Sequence, residues 1–147
     1  MKLGRTFVGG LLAIALVAPV AMSAEKDIKV PRVPAGDLAK AKAVKSPIQP
    51  TAENLAKGKA IFEGKGACFT CHGPGGKGDG IAAAGMEPSP RNFTNPEFHK
   101  VRTEGEMMWV LKNGSPNTPM IAVIPAQITE EEGWQAIAYE RSLGGAK

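Results

Sequence analysis

Cys68-Phe69-Thr70-Cys71-His72 brings together both cysteines of this 147-residue chain and one of its two histidines. The C-x-x-C-H spacing is the pattern for covalent haem attachment. Two thiols one helical turn apart can add across the two vinyl groups of a single porphyrin. The histidine that follows is then carried under the iron as its proximal ligand. Competing readings of the pair fit less well. Thioredoxin-like exchange expects strands alternating with helices around the motif, and neither flank offers them. A structural zinc site needs four ligands, whereas the motif with a distant His99 fits poorly.

Upstream, residues 1–24 have the layout of a cleaved secretory signal. A short basic start (Lys2, Arg5) leads into an apolar run over residues 7–20 and the small residues Ala21-Met22-Ser23-Ala24. The run is shorter than the roughly 20 residues needed to cross a bilayer, and Pro19 breaks its end. The expectation is a periplasmic protein with no stable membrane insertion of the mature chain. An oxidising compartment also suits a pair of thiols committed to a cofactor.

Residues 25–50 carry Pro31, Pro34, Pro47 and Pro50 with few large apolar side chains. They read as an extended linker, or as an arm over the domain, with one turn of helix expected in residues 37–44. This segment has six basic residues against three acidic ones, while ten basic and eleven acidic residues follow from Thr51 onward. The overall pI of 9.2 therefore describes the tail more than the domain. A near-neutral domain argues against nucleic-acid binding, which places its basic face on the fold itself.

Residues 51–147 read as one small domain. Thr51 can cap a helix reaching Glu63, with Leu55, Gly58 and Phe62 on one face. Residues 73–80, Gly-Pro-Gly-Gly-Lys-Gly-Asp-Gly, are too rich in glycine for regular structure, and Pro88, Pro90 and Pro96 keep the next stretch irregular. Helical character returns over residues 103–112 and stops at Asn113-Gly114. Thr129 and Glu132 form a capping box for a last helix reaching Leu143, with Ile128, Trp134, Ile137, Ala138 and Arg141 suggesting one apolar stripe. The predicted fold class is all-α: three to four short helices and long loops wrapped around one covalently bound haem. Loops of this length pack poorly without an apolar slab to pack on.

A second axial ligand decides between a closed and an open iron. Beyond the signal, Met86, Met107, Met108, Met120 and His99 are the candidates. Met107 and Met108 fall in a helix, where core packing is the usual role. Met86 comes soon after His72, in a chain that must first turn away. Met120 ends Asn117-Thr118-Pro119-Met120, and the proline restricts the backbone that aims its sulfur. Met120 is the preferred partner of His72 on the metal.

From about Thr51 to Leu143 the chain resembles a class I c-type cytochrome of the bacterial mono-haem kind. The resemblance rests on the helix with Gly58 and Phe62, the motif Cys68 to Gly73, and the Gly-x-Gly-Asp-Gly loop at Gly76 to Gly80. Pro88, Pro90 and Arg91 follow, then Thr118-Pro119-Met120, and a closing helix with Trp134 and Tyr139. It implies that the first and last helices cross, with Gly58 and Phe62 against Ile137, Ala138 and Tyr139. It implies that His72 gives its second ring N–H to a carbonyl of a proline-containing loop, for which Pro88 and Pro90 are candidates. Arg91 and Trp109 are the residues it points to for the haem propionates.

Two functional classes follow. Capped by His72 and Met120, the haem shuttles single electrons between a protein donor and a protein acceptor, and the chain is not an enzyme. It is then a monomer or the cytochrome subunit of an oxidoreductase, with Lys65, Lys77, Lys100 or Lys112 steering docking. The alternative is a haem-based enzyme or gas sensor with an open or labile distal position.

Overall fold

The Thr51 hydroxyl accepts the Asn54 backbone N–H at 3.2 Å and starts the first long helix of the domain where the sequence placed it. The computed structural model describes residues 27–145; the signal-like residues 1–24 lie outside the described residues. These residues form six α-helices and a short 3-10 turn, with no strand among them. The helices are α1 (Ala35–Ala43), α2 (Ala52–Glu63), α3 (Phe69–His72), α4 (Pro96–Val101), α5 (Glu104–Asn113) and α6 (Glu130–Leu143), with the 3-10 turn at Ile81–Ala83. The all-α expectation holds, but the helices outnumber the three to four expected. The attachment motif is itself a helical turn, and Pro96 opens a helix because its missing N–H is no loss at a first position.

The first and last long helices touch at Gly58. A side chain there would run into the Gln135 carbonyl and the Tyr139 side chain, so only glycine lets the two backbones approach. One turn on, Phe62 is fully buried and meets Tyr139 edge-to-face at 5.5 Å between ring centres. Burying such a ring contributes about 1.5–3 kcal/mol, and the aromatic pair about 0.5–1.5 kcal/mol more. Of the three α6 residues expected at the crossing, Tyr139 is there and Gln135 joins it unforeseen, whereas Ile137 and half-buried Ala138 line a separate groove with Ser46, Ile48 and Arg141. The single stripe expected on α6 is wider: Gly133, Trp134, Gln135, Ala136, Ile137, Tyr139 and Glu140 are all buried. This helix has neighbours on several sides rather than one.

α5 forms the other half of the core. A Thr103–Glu106 capping box starts it, and Gly114, at φ 79°, ends it. Met108 packs towards Gly133 of α6, and Gly105 packs against the carbonyls of Ala41 and Val44. Residues 27–50 are thus tied to the domain: α1 lies on α5, and Val33 and Ala41 are each only 4% exposed. Small residues and alternating lysines kept this segment from showing a hydrophobic periodicity of its own.

Candidate functional site: an apolar cavity around His72

α3 is a single turn. The N–H groups of Cys71 and His72 both reach the Cys68 carbonyl, at 3.2 and 2.9 Å. Such a short helix leaves its last carbonyls without helical partners. The glycine loop supplies them, with Gly80 donating to Cys71 O at 3.0 Å and Gly78 to His72 O at 2.8 Å. Gly80 must be glycine, because a Cβ would collide with the backbone of Thr70 and Cys71. Burial pushes the Cys68 thiol up to about 12. A thiol held so far from ionisation is a poor agent for disulfide exchange, which weighs against the thioredoxin-like reading.

His72 is held on two sides. Its Nδ1 lies 3.0 Å from the Arg91 carbonyl, and its ring stacks on Phe93 at 4.4 Å with planes 19° apart. The carbonyl expected from Pro88 or Pro90 is therefore that of Arg91. The Pro90 carbonyl instead packs against Gly78, at φ +82°. Burial pushes the imidazole down from its ordinary range, against the raising effect of the Arg91 carbonyl. The ring is thus neutral at pH 7, Nδ1–H donates to Arg91, and Nε2 keeps the lone pair that a metal needs. Phe93 was not anticipated; it lies three residues beyond Pro90 and is tied to the glycine loop by Phe93 N–H to Gly76 O, at 2.7 Å.

Cys68, Cys71 and His72 open onto a mainly apolar cavity of about 380 Å³. Of the five candidate distal residues, Met86, Met107 and Met120 line it. Met108 belongs to the core between α5 and α6. His99 is buried elsewhere, with Nε2 at 2.7 Å from the Phe93 carbonyl and its ring against Gly144. Arg91 lines the cavity, whereas half-buried Trp109 is not among its lining residues. Met107, Val110 and Leu111 take that face of α5, and Trp109 is rotated away by the helical repeat.

The Met120 loop is braced over a few residues. Ser115 N–H donates to the Met120 carbonyl at 2.8 Å. The Thr118 hydroxyl donates to the Ser115 carbonyl at 2.8 Å and accepts the Met120 N–H at 3.2 Å. Asn117 sits at φ 58°, a left-handed conformation that asparagine tolerates better than most residues.

Buried charge is the feature that sequence reasoning missed. Arg102, 6% exposed, pairs with Glu106, 2% exposed, at 3.2 Å, and both line the cavity with Glu140. Burial raises Glu140 to about 8. A haem fits these walls: two thiols and a neutral imidazole on one helical turn, apolar surroundings, and a buried Arg102 Nε with no hydrogen-bond partner.

The family profile described as cytochrome c matches residues 55–144. The chain belongs to the cytochrome c family. Among solved structures, a chain of the Kuenenia stuttgartiensis reducing HAO-like protein complex is similar, with 29% identity and a TM-score of 0.58. The match covers 68% of this chain and 49% of that one, so it spans about half of the relative's length. No curated protein matches the chain. Membership in the family carries covalent haem c, whose C-x-x-C-H motif Cys68 and Cys71 fit, and haem-based electron transfer. Among the described residues, no helix is long and apolar enough to cross a membrane.

Proposed function

We propose that this is an exported, mono-haem, class I cytochrome that passes single electrons between a protein donor and a protein acceptor, with His72 and Met120 as axial ligands. The observation that carries the reading is the Met120 loop: it is braced by its own hydrogen bonds and brings a thioether to the cavity that His72 lines. Met107 belongs to a helix and to the packed core, and Met86 enters on the loop leading to Arg91, whose carbonyl serves the proximal ring. When bound, the haem supplies a ferric/ferrous couple, which a histidine–methionine pair biases towards the ferrous state.

The protein's own residues do the rest. Arg91 O fixes the tautomer and orientation of His72, and Phe93 holds its plane. The buried apolar wall of Phe98, Met107, Leu111 and Val123 excludes water and limits reorganisation as charge changes. Arg91, which lines the cavity, would meet a propionate. With His72 and Met120 both holding the iron, no position would remain there for a substrate, and the chain would carry electrons rather than catalyse. Phe69 and Ile121, 37% and 71% exposed, give an apolar rim for a partner to approach. Lys65, Lys100 and Lys112 are each engaged in an ion pair with a glutamate, which leaves Lys77 as the better steering charge among the four. The similar chain comes from a protein complex, which supports a lasting redox partner. The signal-like residues 1–24 support a periplasmic location.

The test is the near-infrared sulfur-to-iron charge-transfer band of the oxidised holoprotein. Met120→Ala is expected to abolish it and lower the reduction potential, while Met86→Leu and Met107→Leu keep it. A band that survives Met120→Ala sinks the assignment.

A further inference from the structure

The arm that precedes α2 brings a cation to the cavity. Arg32 and buried Val33 are part of the lining, as is Arg102 from the α4–α5 junction. Arg102 is already heavily engaged: Nη1 donates to Glu106 Oε1 at 3.2 Å and to Val101 O at 3.1 Å, and Nη2 to Ile28 O at 2.5 Å. Its Nε, also buried, has no partner. Arg32 has no hydrogen bond or ion pair among the described residues, and burial, followed by the nearby Arg102 charge, pushes it down from its ordinary range.

The charges there do not balance. Glu106 answers Arg102 and also accepts the Thr103 N–H, at 2.9 Å. Glu140 is held towards its neutral form by burial. That leaves one guanidinium in excess beside a largely apolar space, together with an unused buried donor. Two like charges brought together out of water are unfavourable unless an anion joins them. A carboxylate is the anion that a planar guanidinium accepts best, and a haem carries two of them.

We infer that Arg32 and Arg102 together hold a haem propionate, so that the N-terminal arm is a wall of the cofactor site and not only a spacer. The arm is fixed for this role. Ile28 O accepts from Arg102 at one end of the segment, and α1 is seated on Gly105 at the other. A cation at a propionate offsets its negative charge beside the iron, which favours the ferrous state. The inference requires a haem in the cavity but not Met120 as its ligand, and the two are read by different signals.

The experiment compares holoprotein carrying Arg32→Gln, Arg32→Lys or Lys42→Gln. Lys42 is an exposed cation on the same arm. Arg32→Gln is expected to lower the reduction potential and to shift the propionate bending band in the resonance Raman spectrum, with the near-infrared band unchanged. Arg32→Lys, which keeps the charge and the arm, is expected to retain most of the potential. Lys42→Gln is expected to leave potential and band at wild type. A wild-type potential and propionate band in Arg32→Gln overturn the inference. So does an equal drop in Lys42→Gln, which would make the effect one of general charge. A near-infrared change in Arg32→Gln would assign the potential shift to the axial ligand and overturn it too.

Discussion

The two walls of the cavity are built by different physics. On the His72 side, order comes from burial: Phe93 is 6% exposed, stacks on the imidazole, and meets Phe62 and Phe98 in turn. The glycine loop behind it closes the carbonyls of α3 with backbone bonds. On the Met120 side, order comes from three hydrogen bonds within residues 115–120, and Pro119 and Ile121 are exposed on either side of the methionine. A wall made of packed rings is stiff, because any vacancy costs both transfer free energy and cavity formation. A wall held by a few part-buried hydrogen bonds is softer, since water can reach and replace them. The ligand that can be exchanged is therefore expected on the Met120 side.

Removing the keystone of the stiff wall should have the largest effect. Phe93→Ala is expected to cost about 3–5 kcal/mol in denaturant-induced unfolding of the holoprotein. A loss near that of an exposed side chain would show that His72 is held by Arg91 alone, and that the two walls do not differ as described.

Glu140, which lines the cavity from α6, gives the next effect, through pH. Its native value of about 8 lies above its ordinary value of 4.5. Between those values the native state binds the proton that the unfolded state has released. Stability therefore falls as pH rises across the window and flattens above it. Glu140→Gln, unable to ionise, is expected to lessen that slope and to be relatively more stable at pH 8 than at pH 5. Thermal unfolding at a series of pH values reads this, and equal slopes in both proteins would remove Glu140 from the account.

Thr118→Val should give the smallest change, and one specific to the soft wall. Two hydrogen bonds of the Met120 loop are lost, each contributing about 1 kcal/mol. Global stability should fall little, while imidazole should bind the ferric protein more tightly, by about tenfold for each 1.4 kcal/mol of loop stability lost. Unchanged imidazole affinity would mean that the loop is held by packing after all.

The same contrast explains which parts could be read in advance. The caps at Thr51 and Thr129 and the stop at Gly114 depend on neighbours within a turn, whereas the crossing at Gly58 was implied by the family resemblance. The Thr103–Glu106 box had the same T-x-x-E signature as Thr129–Glu132 and was legible by the same rule. Arg102, Glu106 and Glu140 were not legible, because charged residues are ordinarily solvated and only a distant partner or an enclosed space keeps them in the interior. Trp109 was assigned to the cavity by resemblance, and its helical phase turns it elsewhere.

The sequence alone determined the attachment chemistry, since thiol spacing and the adjacent histidine are covalent facts of residues 68–72. It also determined the helices that carry their own capping groups. Tertiary structure decided which methionines reach the cavity, that the Arg91 carbonyl serves His72, and that residues 27–50 bring Arg32 to the site. Those outcomes depend on contacts between residues far apart in the chain, where burial and excluded volume choose among partners that local chemistry leaves equal.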